Sequence, residues 1–349
     1  MKISILGAFG FDRIHETTGG QPVKTRELYY GLCEKYDKKN IFYTDTYLYR
    51  KKPIKFIFSL LKTLRKSDIL IMLPAQNGLK VFSKIIFLLK PKKCKVFYDV
   101  IGGWLPDFIL DHKKIIKHLK KMNGIWVEMN SMKIKLEKEG LNNVVTIPNF
   151  KTIHLTSMPY DFSKKEFNFC TFSRVMEEKG IENAMEAVVR LNREFQNNYK
   201  IHLDIYGPVD VNYQNRFNEL LNQKEISDLV SYKGIVNPND SVEILKKYYA
   251  LLFPTFYSGE GFAGTLLDAM FSGIPVIASD WKYNCDIILD GKNGLIYQVK
   301  NIDDLVAKMR LLIQNPNQWE ILKQNCLLEA QKYMRENVLQ MITSEIERG

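Results

Sequence analysis

Two acids on either side of a run of small residues are the groups in this 349-residue chain best placed to do chemistry: Glu260-Gly261-Phe262-Ala263-Gly264-Thr265-Leu266-Leu267-Asp268. The apolar run Tyr249 to Phe253 precedes them and reads as a buried strand, followed by Pro254-Thr255. After them, Gly273-Ile274-Pro275 turns into a second apolar run, Val276 to Ala278. The order is therefore strand, glycine-rich loop, short helix, turn, strand. The loop sets Glu260 just ahead of a helix start. Amides in the first turn, near Thr265 and Leu266, lack intrahelical partners and face the positive end of the helix dipole, which suits a phosphate. Asp268 lies one turn further in, where a carboxylate can reach a pair of sugar hydroxyls. Acid, bare amides and a second acid in that order fit a sugar nucleotide.

Two cations form a second group. Phe172-Ser173-Arg174-Val175-Met176-Glu177-Glu178-Lys179-Gly180 follows another apolar run, Phe167 to Phe172. Arg174 and Lys179 would thus lie at the carboxyl end of a strand, where open α/β sheets bind ligands. Arg offers a planar fork for phosphate oxygens and Lys a point charge. Together they could hold a diphosphate leaving group, although a solvated loop with ordinary surface charges would have the same residues. No Asp-x-Asp occurs in the chain, and the five cysteines are scattered with no CxxC pair. Neither a metal site nor a disulfide framework is indicated, and a reduced, cytosolic setting is expected.

Elements able to position these groups alternate along the whole chain. Strand-like runs fall at Lys2–Leu6, Asn40–Tyr43, Ile69–Leu73, Val96–Val100, Gly124–Glu128 and Val144–Ile147. Six more fall at Phe167–Phe172, Ile201–Tyr206, Val230–Tyr232, Ala250–Phe253, Val276–Ala278 and Gly294–Tyr297. Helical patterns such as Lys24–Lys35, Ile181–Gln196 and Val242–Tyr249 lie between them. Continuous apolar strands with intervening helices imply parallel sheets covered on both faces. Two such sets imply an α/β chain of two Rossmann-like domains, with the link inside 149–166. The apolar start, Ile3 to Phe11, is short and interrupted by Gly7 and Gly10, so it reads as a first strand and not a leader. Gly7-Ala8-Phe9-Gly10 lacks the third glycine of a dinucleotide loop. No run approaches the ~20 apolar residues of a membrane span.

Charge is distributed unevenly. Residues 1–150 hold 28 Lys+Arg against 13 Asp+Glu, a net of +15; residues 151–349 hold 22 against 26, a net of −4. Only the first half is therefore expected to meet an anionic partner. Two stretches there are both apolar and basic. In Lys51–Lys66, Phe56, Ile57, Leu60, Leu61 and Leu64 share a helical face, with Lys55, Lys62 and Lys66 opposite. Leu79–Lys93 combines Val81, Phe82, Ile85, Ile86, Leu88 and Leu89 with five lysines. Most of these apolar residues are expected to pack on the sheet, while the lysine excess fits an anionic membrane surface.

The motifs resemble the retaining glycosyltransferases of family GT4. The family carries two glutamates separated by seven residues; here the second acid is Asp268, one methylene shorter. It also keeps an Arg and a Lys followed by Gly after the strand ending at Phe172. The likeness runs from about Phe167 to Tyr297 and includes Ile205-Tyr206-Gly207, Tyr232-Lys233-Gly234-Ile235-Val236 and Asp290-Gly291-Lys292-Asn293-Gly294. It implies the GT-B architecture, two facing Rossmann-like domains with a cleft between them. The expected boundaries are 1–155 for an acceptor domain, 156–330 for a donor domain, and 331–349 for a helix returning to the first domain. The implied catalytic residues are Glu260, Arg174 and Lys179, with Glu260 on the donor sugar. Donor contacts would come from Gly207, Val236, Gly261, Phe262, Ala263, Gly264, Thr265, Leu266 and Asp268, the last on the ribose. Gly19 and Gly20 correspond to a glycine loop that faces the donor from the first domain. Many members carry a His after the strand ending at Val100; here Ile101-Gly102-Gly103 fills that place, leaving Asp99, Gly102 and Gly103 as acceptor-side candidates.

The expected reaction is transfer of a hexosyl or N-acetylhexosaminyl group, with retention, from a nucleotide diphosphate donor, UDP by default. The acceptor is a hydroxyl of a lipid-linked glycan in bacterial capsule, O-antigen or exopolysaccharide assembly. Neither metal nor cofactor is expected, and the setting is the cytoplasmic face of the cell membrane, held peripherally. Rival readings are a nucleic-acid-binding protein, suggested by the basic half but lacking a reading motif, and a GT-B epimerase or phosphorylase.

Overall fold

The structure, a computed structural model, describes residues 1–11, 20–152, 158–196 and 198–348. Among them, twelve strands form two parallel six-stranded sheets. The first sheet holds β1 (Ile3–Gly7), β2 (Ile41–Asp45), β3 (Ile69–Met72), β4 (Lys95–Asp99), β5 (Gly124–Val127) and β6 (Val144–Thr146), in the order β2-β1-β3-β4-β5-β6. The second holds β7 (Glu166–Phe172), β8 (Lys200–Tyr206), β9 (Val230–Gly234), β10 (Ala250–Phe253), β11 (Val276–Ser279) and β12 (Gly294–Tyr297), in the order β12-β11-β10-β7-β8-β9. Every expected strand is present. Inner strands β1, β3, β5, β10 and β11 are buried along their whole length, as helix cover on both faces requires. Edge strands β2 and β9 are not.

The chain divides into two compact units, Met1–Thr152 with Tyr333–Gly349, and Ile153–Lys332. In the first unit, Leu28 and Leu32 of the helix Gly20–Tyr36 pack with Ile3, Ile5, Ile69 and Ile71. Val338, Ile342 and Ile346 of the helix Arg335–Arg348 complete that core. Gly31 lets the two helices approach, since a Cβ there would meet Leu339 at 2.6 Å. Arg335 locks the entry to the terminal helix through Glu34 at 2.7 Å and through its amide to the Lys151 carbonyl.

Helix boundaries and faces depart from the sequence expectation in places. The stretch over 51–66 is one helix, Pro53–Lys66, that begins at Pro53 and follows a separate short helix, Tyr47–Lys51. Its buried stripe is Phe56, Leu60, Thr63 and Leu64. Ile57, expected on that face, is exposed beside Ile54 (71%) and Phe58 (69%). A stripe at i, i+4, i+7 and i+8 covers little more than a quarter-turn, so residues one position away rotate outward. The next expected helix runs Gln76–Leu89 and buries Leu79, Phe82, Ser83 and Ile86. Leu88 and Leu89 are exposed at its end, ahead of Pro91. The expected helix Val242–Tyr249 is shortened to Ser241–Leu245.

Within the second unit the strands, counted from β7 as the first, lie in the order 3-2-1-4-5-6. Connections reverse direction between β7 and β10, and ligands in open α/β sheets bind beyond the carboxyl ends at that point. The Arg174 loop leaves β7 and the Glu260 loop leaves β10, so topology alone sets them side by side.

The terminal helix is expected to be integral to the first unit. Ile342→Ala, which empties a buried site, should cost about 2–5 kcal/mol. Hydrogen-exchange mass spectrometry should then show lost protection in β1 and β3 with β7 and β10 unchanged; wild-type protection throughout would assign this helix a peripheral role.

Candidate active site

β10 ends at Phe253, and the chain turns through Thr255 to Glu260. The Thr255 hydroxyl donates to Glu260 Oε2 at 2.6 Å, and the Glu260 amide donates to the Tyr257 carbonyl. Trp281 Nε1 holds the same carbonyl at 2.7 Å. The β7 loop is tied to this turn by the Phe256 amide, which donates to the Glu178 carbonyl at 2.7 Å. Lys179 therefore meets Glu260 directly: Nζ lies 2.6 Å from Oε2, with side chains 12% and 8% exposed. The Lys179 ammonium also sits 5.0 Å from the Tyr257 ring centre, a cation–π contact. Glu260 Oε1 has no protein partner among the described residues.

Two glycines allow this approach. Gly180 has φ +69°, and a Cβ there would lie 2.1 Å from the Pro254 carbonyl oxygen. Gly207 has φ +129°, and its Cβ would lie 1.8 Å from the Ser173 carbonyl oxygen. Gly207 thus lets the end of β8 close on the loop that carries Arg174. Val175 pins that loop further, its amide donating to the Pro208 carbonyl and its carbonyl accepting from Asp210. The Arg174 side chain is exposed and its guanidinium has no hydrogen bond or ion pair among the described residues, while its backbone carbonyl accepts from Ser173 Oγ at 3.1 Å.

These groups line a cavity of about 250 Å³ with Phe172, Ser173, Met176, Phe253, Tyr257, Ala263, Gly264 and Thr265. The helix Gly264–Ser272 starts at its wall, with no side chain capping it. Thr265 fastens that start to β7 by donating from Oγ1 to the Phe172 carbonyl at 2.6 Å. The Leu266 amide bonds back to the Ala263 carbonyl at 3.0 Å, so the helix start offers the amides of Gly264 and Thr265 rather than that of Leu266. Phe262 and Leu266 are buried beneath the loop.

Asp268 stands apart from the cavity wall. It is buried, and Ser241 Oγ donates to its Oδ2 at 2.8 Å. Val236 lies in the loop after β9, also outside that wall. Thr255, Tyr257 and Ser241 escaped sequence reasoning, although Thr255 is at a strand's carboxyl end, where ligand contacts concentrate.

In the first unit, Gly20 opens the helix Gly20–Tyr36, while Gly19 lies outside the described residues. Asp99 is buried against Lys24, 3.1 Å away, and Lys24 reaches Glu128 at 2.9 Å. Glu128 Oε2 accepts the Gly102 amide at 3.0 Å. Burial raises the Glu128 carboxyl above the ordinary range, with Lys24 opposing it. Asp99 is therefore a member of a buried charge cluster that braces the Gly102-Gly103 loop, not an open acceptor-side group. Lys24 and Glu128 left no signal in the sequence. Among the described residues, no group of three or more His, Cys, Asp or Glu side chains comes together as a metal site.

Gly207→Ala is expected to displace the Arg174 loop, because a Cβ cannot occupy that space and backbone at this φ costs roughly 1–3 kcal/mol. UDP binding by calorimetry should weaken while the second unit stays folded; unchanged affinity would separate the loop from nucleotide binding.

Comparisons with known proteins bear on the family and the fold. The family described as glycosyl transferases group 1 matches residues 157–331. A poly(ribitol-phosphate) α-N-acetylglucosaminyltransferase of Staphylococcus aureus is 29% identical over 210 residues, 60% of this chain. The chain spans only 40% of that relative's length. A capsular polysaccharide biosynthesis glycosyltransferase, CapH of S. aureus, is 24% identical over 251 residues, covering 68% of this chain and 66% of that protein. Among solved structures, Anabaena HepE in complex with UDP superimposes with a TM-score of 0.79 at 16% identity, over 100% of both chains. That likeness shows the GT-B fold. With the matched span holding both the Arg174 and Glu260 loops, the chain belongs to the glycosyl transferases of group 1.

Proposed function

We propose that this glycosyltransferase moves a hexosyl or N-acetylhexosaminyl group, with retention, from a UDP-sugar to a hydroxyl of a lipid-linked glycan in bacterial surface polysaccharide synthesis. The observation that carries the donor half is the meeting of Lys179, Glu260 and the open Arg174 guanidinium at a cavity walled by helix-start amides. A diphosphate placed there would be met by Arg174, by the Gly264 and Thr265 amides, and by Lys179. Glu260 Oε1, the oxygen left without a protein partner, would accept a hydrogen bond from a donor-sugar hydroxyl. UDP is supported as the nucleotide by the complex of HepE.

In the reaction, the bond between the anomeric carbon and the diphosphate oxygen breaks, and a bond to the acceptor oxygen forms on the same face. The acceptor proton passes to the departing diphosphate oxygen. Arg174, Lys179 and the helix amides stabilise the charge that develops there, so the protein's own cations can serve in place of a metal ion. Glu260 orients the sugar without taking the proton. Asp268, held by Ser241, is assigned the ribose hydroxyls.

Placement at the inner membrane face rests on the +15 charge of residues 1–150 and on the exposed Ile54, Ile57 and Phe58 beside Lys55 and Lys62. Several lysines at an anionic surface, each contributing about 1 kcal/mol, would give reversible attachment. Among the described residues no helix is long and apolar enough to cross a membrane. Surface glycan synthesis is supported by the teichoic acid and capsule enzymes among the relatives.

Arg174→Ala and Lys179→Ala should each reduce turnover by about one to two decades, the equivalent of ~1.5–3 kcal/mol for a lost hydrogen bond to charge. Glu260→Gln should cut transfer without weakening UDP binding, whereas Asp268→Asn should weaken UDP itself. All four should keep these effects with EDTA present. The assays are donor consumption with lipid extract and UDP calorimetry; near-normal turnover in both cation variants would remove the proposed diphosphate site.

A further inference from the structure

One cluster of cations in the first unit has no part in the chemistry above. In the first unit, a groove of about 860 Å³ opens between the helix Gln76–Leu89 and the chain over 105–119. Lys80, Lys84, Lys113, Lys114 and Lys117 line it, against a single carboxylate, Asp111. Some lysines elsewhere in the same unit meet acids: Lys93 meets Asp68, Lys39 meets Asp37 and Lys133 meets Glu137. Among the described residues, Lys84, Lys113, Lys114 and Lys117 have no carboxylate partner. Like charges gathered around one cavity repel, and an anion with several oxygens relieves that repulsion.

The walls narrow the ligand's chemistry. Leu110 contributes an exposed apolar side and Ile115 a buried one. Lys80 is steadied over the Phe108 ring at 5.1 Å. Five compact ammonium donors without an arginine fork suit a group with many charged oxygens rather than one planar carboxylate. The volume lies in the range of pockets that hold a ligand with a substituent beyond its head group.

We propose that this groove binds a phosphate-bearing ligand, whose di- or polyphosphate group is held by Lys80, Lys84, Lys113, Lys114 and Lys117. The inference goes beyond the transferase reading and stands without it, because binding here requires neither donor nor transfer. His118 reports on occupancy. Its ring stacks on Phe87 and lies 3.5 Å from Ser83 Oγ. Burial, then repulsion from Lys121, Lys84 and Lys117, holds its pKa below the ordinary histidine value. The charged groups that shift it are all cations, Lys84 from the facing helix and Lys117 and Lys121 from its own segment, and Asp111 is the one carboxylate in the same lining. An anion in the groove offsets that repulsion and raises the His118 pKa.

The test titrates inorganic pyrophosphate into the full chain, wild type against Lys84→Glu/Lys117→Glu, each also measured with Arg174→Ala so that pyrophosphate held at the donor cavity is told apart from pyrophosphate in the groove. A control, Lys138→Glu/Lys224→Glu, makes the same charge change outside the groove. The expected result is binding by wild type and control, a loss of at least about tenfold in the groove variant, and an upward move of the His118 titration by NMR. Equal Tm values show that the variants fold. No binding by wild type, equal weakening in the control, or an unmoved His118 titration would overturn the proposal. Phosphatidylglycerol vesicles separate the sources of the phosphate. Co-sedimentation that is lost in the groove variant and competed by pyrophosphate supports a lipid-borne group; co-sedimentation unaffected by the variant, with pyrophosphate binding lost, supports a water-soluble one. An RNA oligonucleotide that binds more tightly than pyrophosphate, and is lost in the same variant, would replace the proposal with a nucleic-acid site.

Discussion

The ion pair between Lys179 and Glu260 is the interaction around which the second unit's site is arranged. Two charges so nearly removed from water are tolerated only when they meet each other and further hydrogen-bond partners. Thr255 supplies one of those partners, and the Tyr257 ring shields the ammonium. Removing one member of such a pair costs about 3–5 kcal/mol, because the other is left stranded. The surrounding backbone is therefore built to keep the loops after β7 and β10 in contact. Gly180 and Gly207 remove the Cβ atoms that would hold them apart, and the Phe256 amide bridges them. The pair also leaves the site unevenly charged, with Lys179 committed to Glu260 and Arg174 open. On the proposed reading, a diphosphate entering the cavity would compete with Glu260 for Lys179, and the carboxylate it displaced would face the sugar.

The two units handle charge by different means. The second pairs its ions closely: Lys179 with Glu260, Arg310 with Glu194, Arg190 with Glu186 and Asp303. The first buries one compact cluster, Lys24 with Asp99 and Glu128, and leaves many other lysines without acids. The cluster braces the Gly102-Gly103 loop, and the uncompensated lysines gather over the helices that follow β3 and β4. The unit rich in unpaired cations is thus suited to large anionic partners, and the paired unit to one defined anion.

The inner strands were legible in the sequence because parallel strands covered on both faces are apolar runs, and the edge strands β2 and β9, which are covered less, were legible from shorter runs. The Arg174, Lys179 and Glu260 loops were legible because they follow such runs at the carboxyl end. Helix faces were less so: Ile57 reads as apolar and therefore inward, yet a stripe centred on Phe56 and Leu60 turns it to solvent. Contacts between residues far apart in the chain left no local pattern. Ser241 on Asp268, Lys24 on Glu128 and the terminal helix on Gly31 exist only because the sheets bring those segments together. Leu266 shows the same limit at short range, since its amide bonds to the Ala263 carbonyl and is not offered to a ligand.

The central claim is that a nucleotide diphosphate takes Lys179 from Glu260. A crystal structure of the protein with UDP, grown without divalent metal, tests it most directly. The account predicts the β-phosphate within hydrogen-bond distance of both Arg174 and Lys179, at the amides of Gly264 and Thr265, with Glu260 facing the space for the sugar. UDP bound elsewhere, with Arg174 unengaged and the Lys179–Glu260 contact unchanged at 2.6 Å, would contradict it.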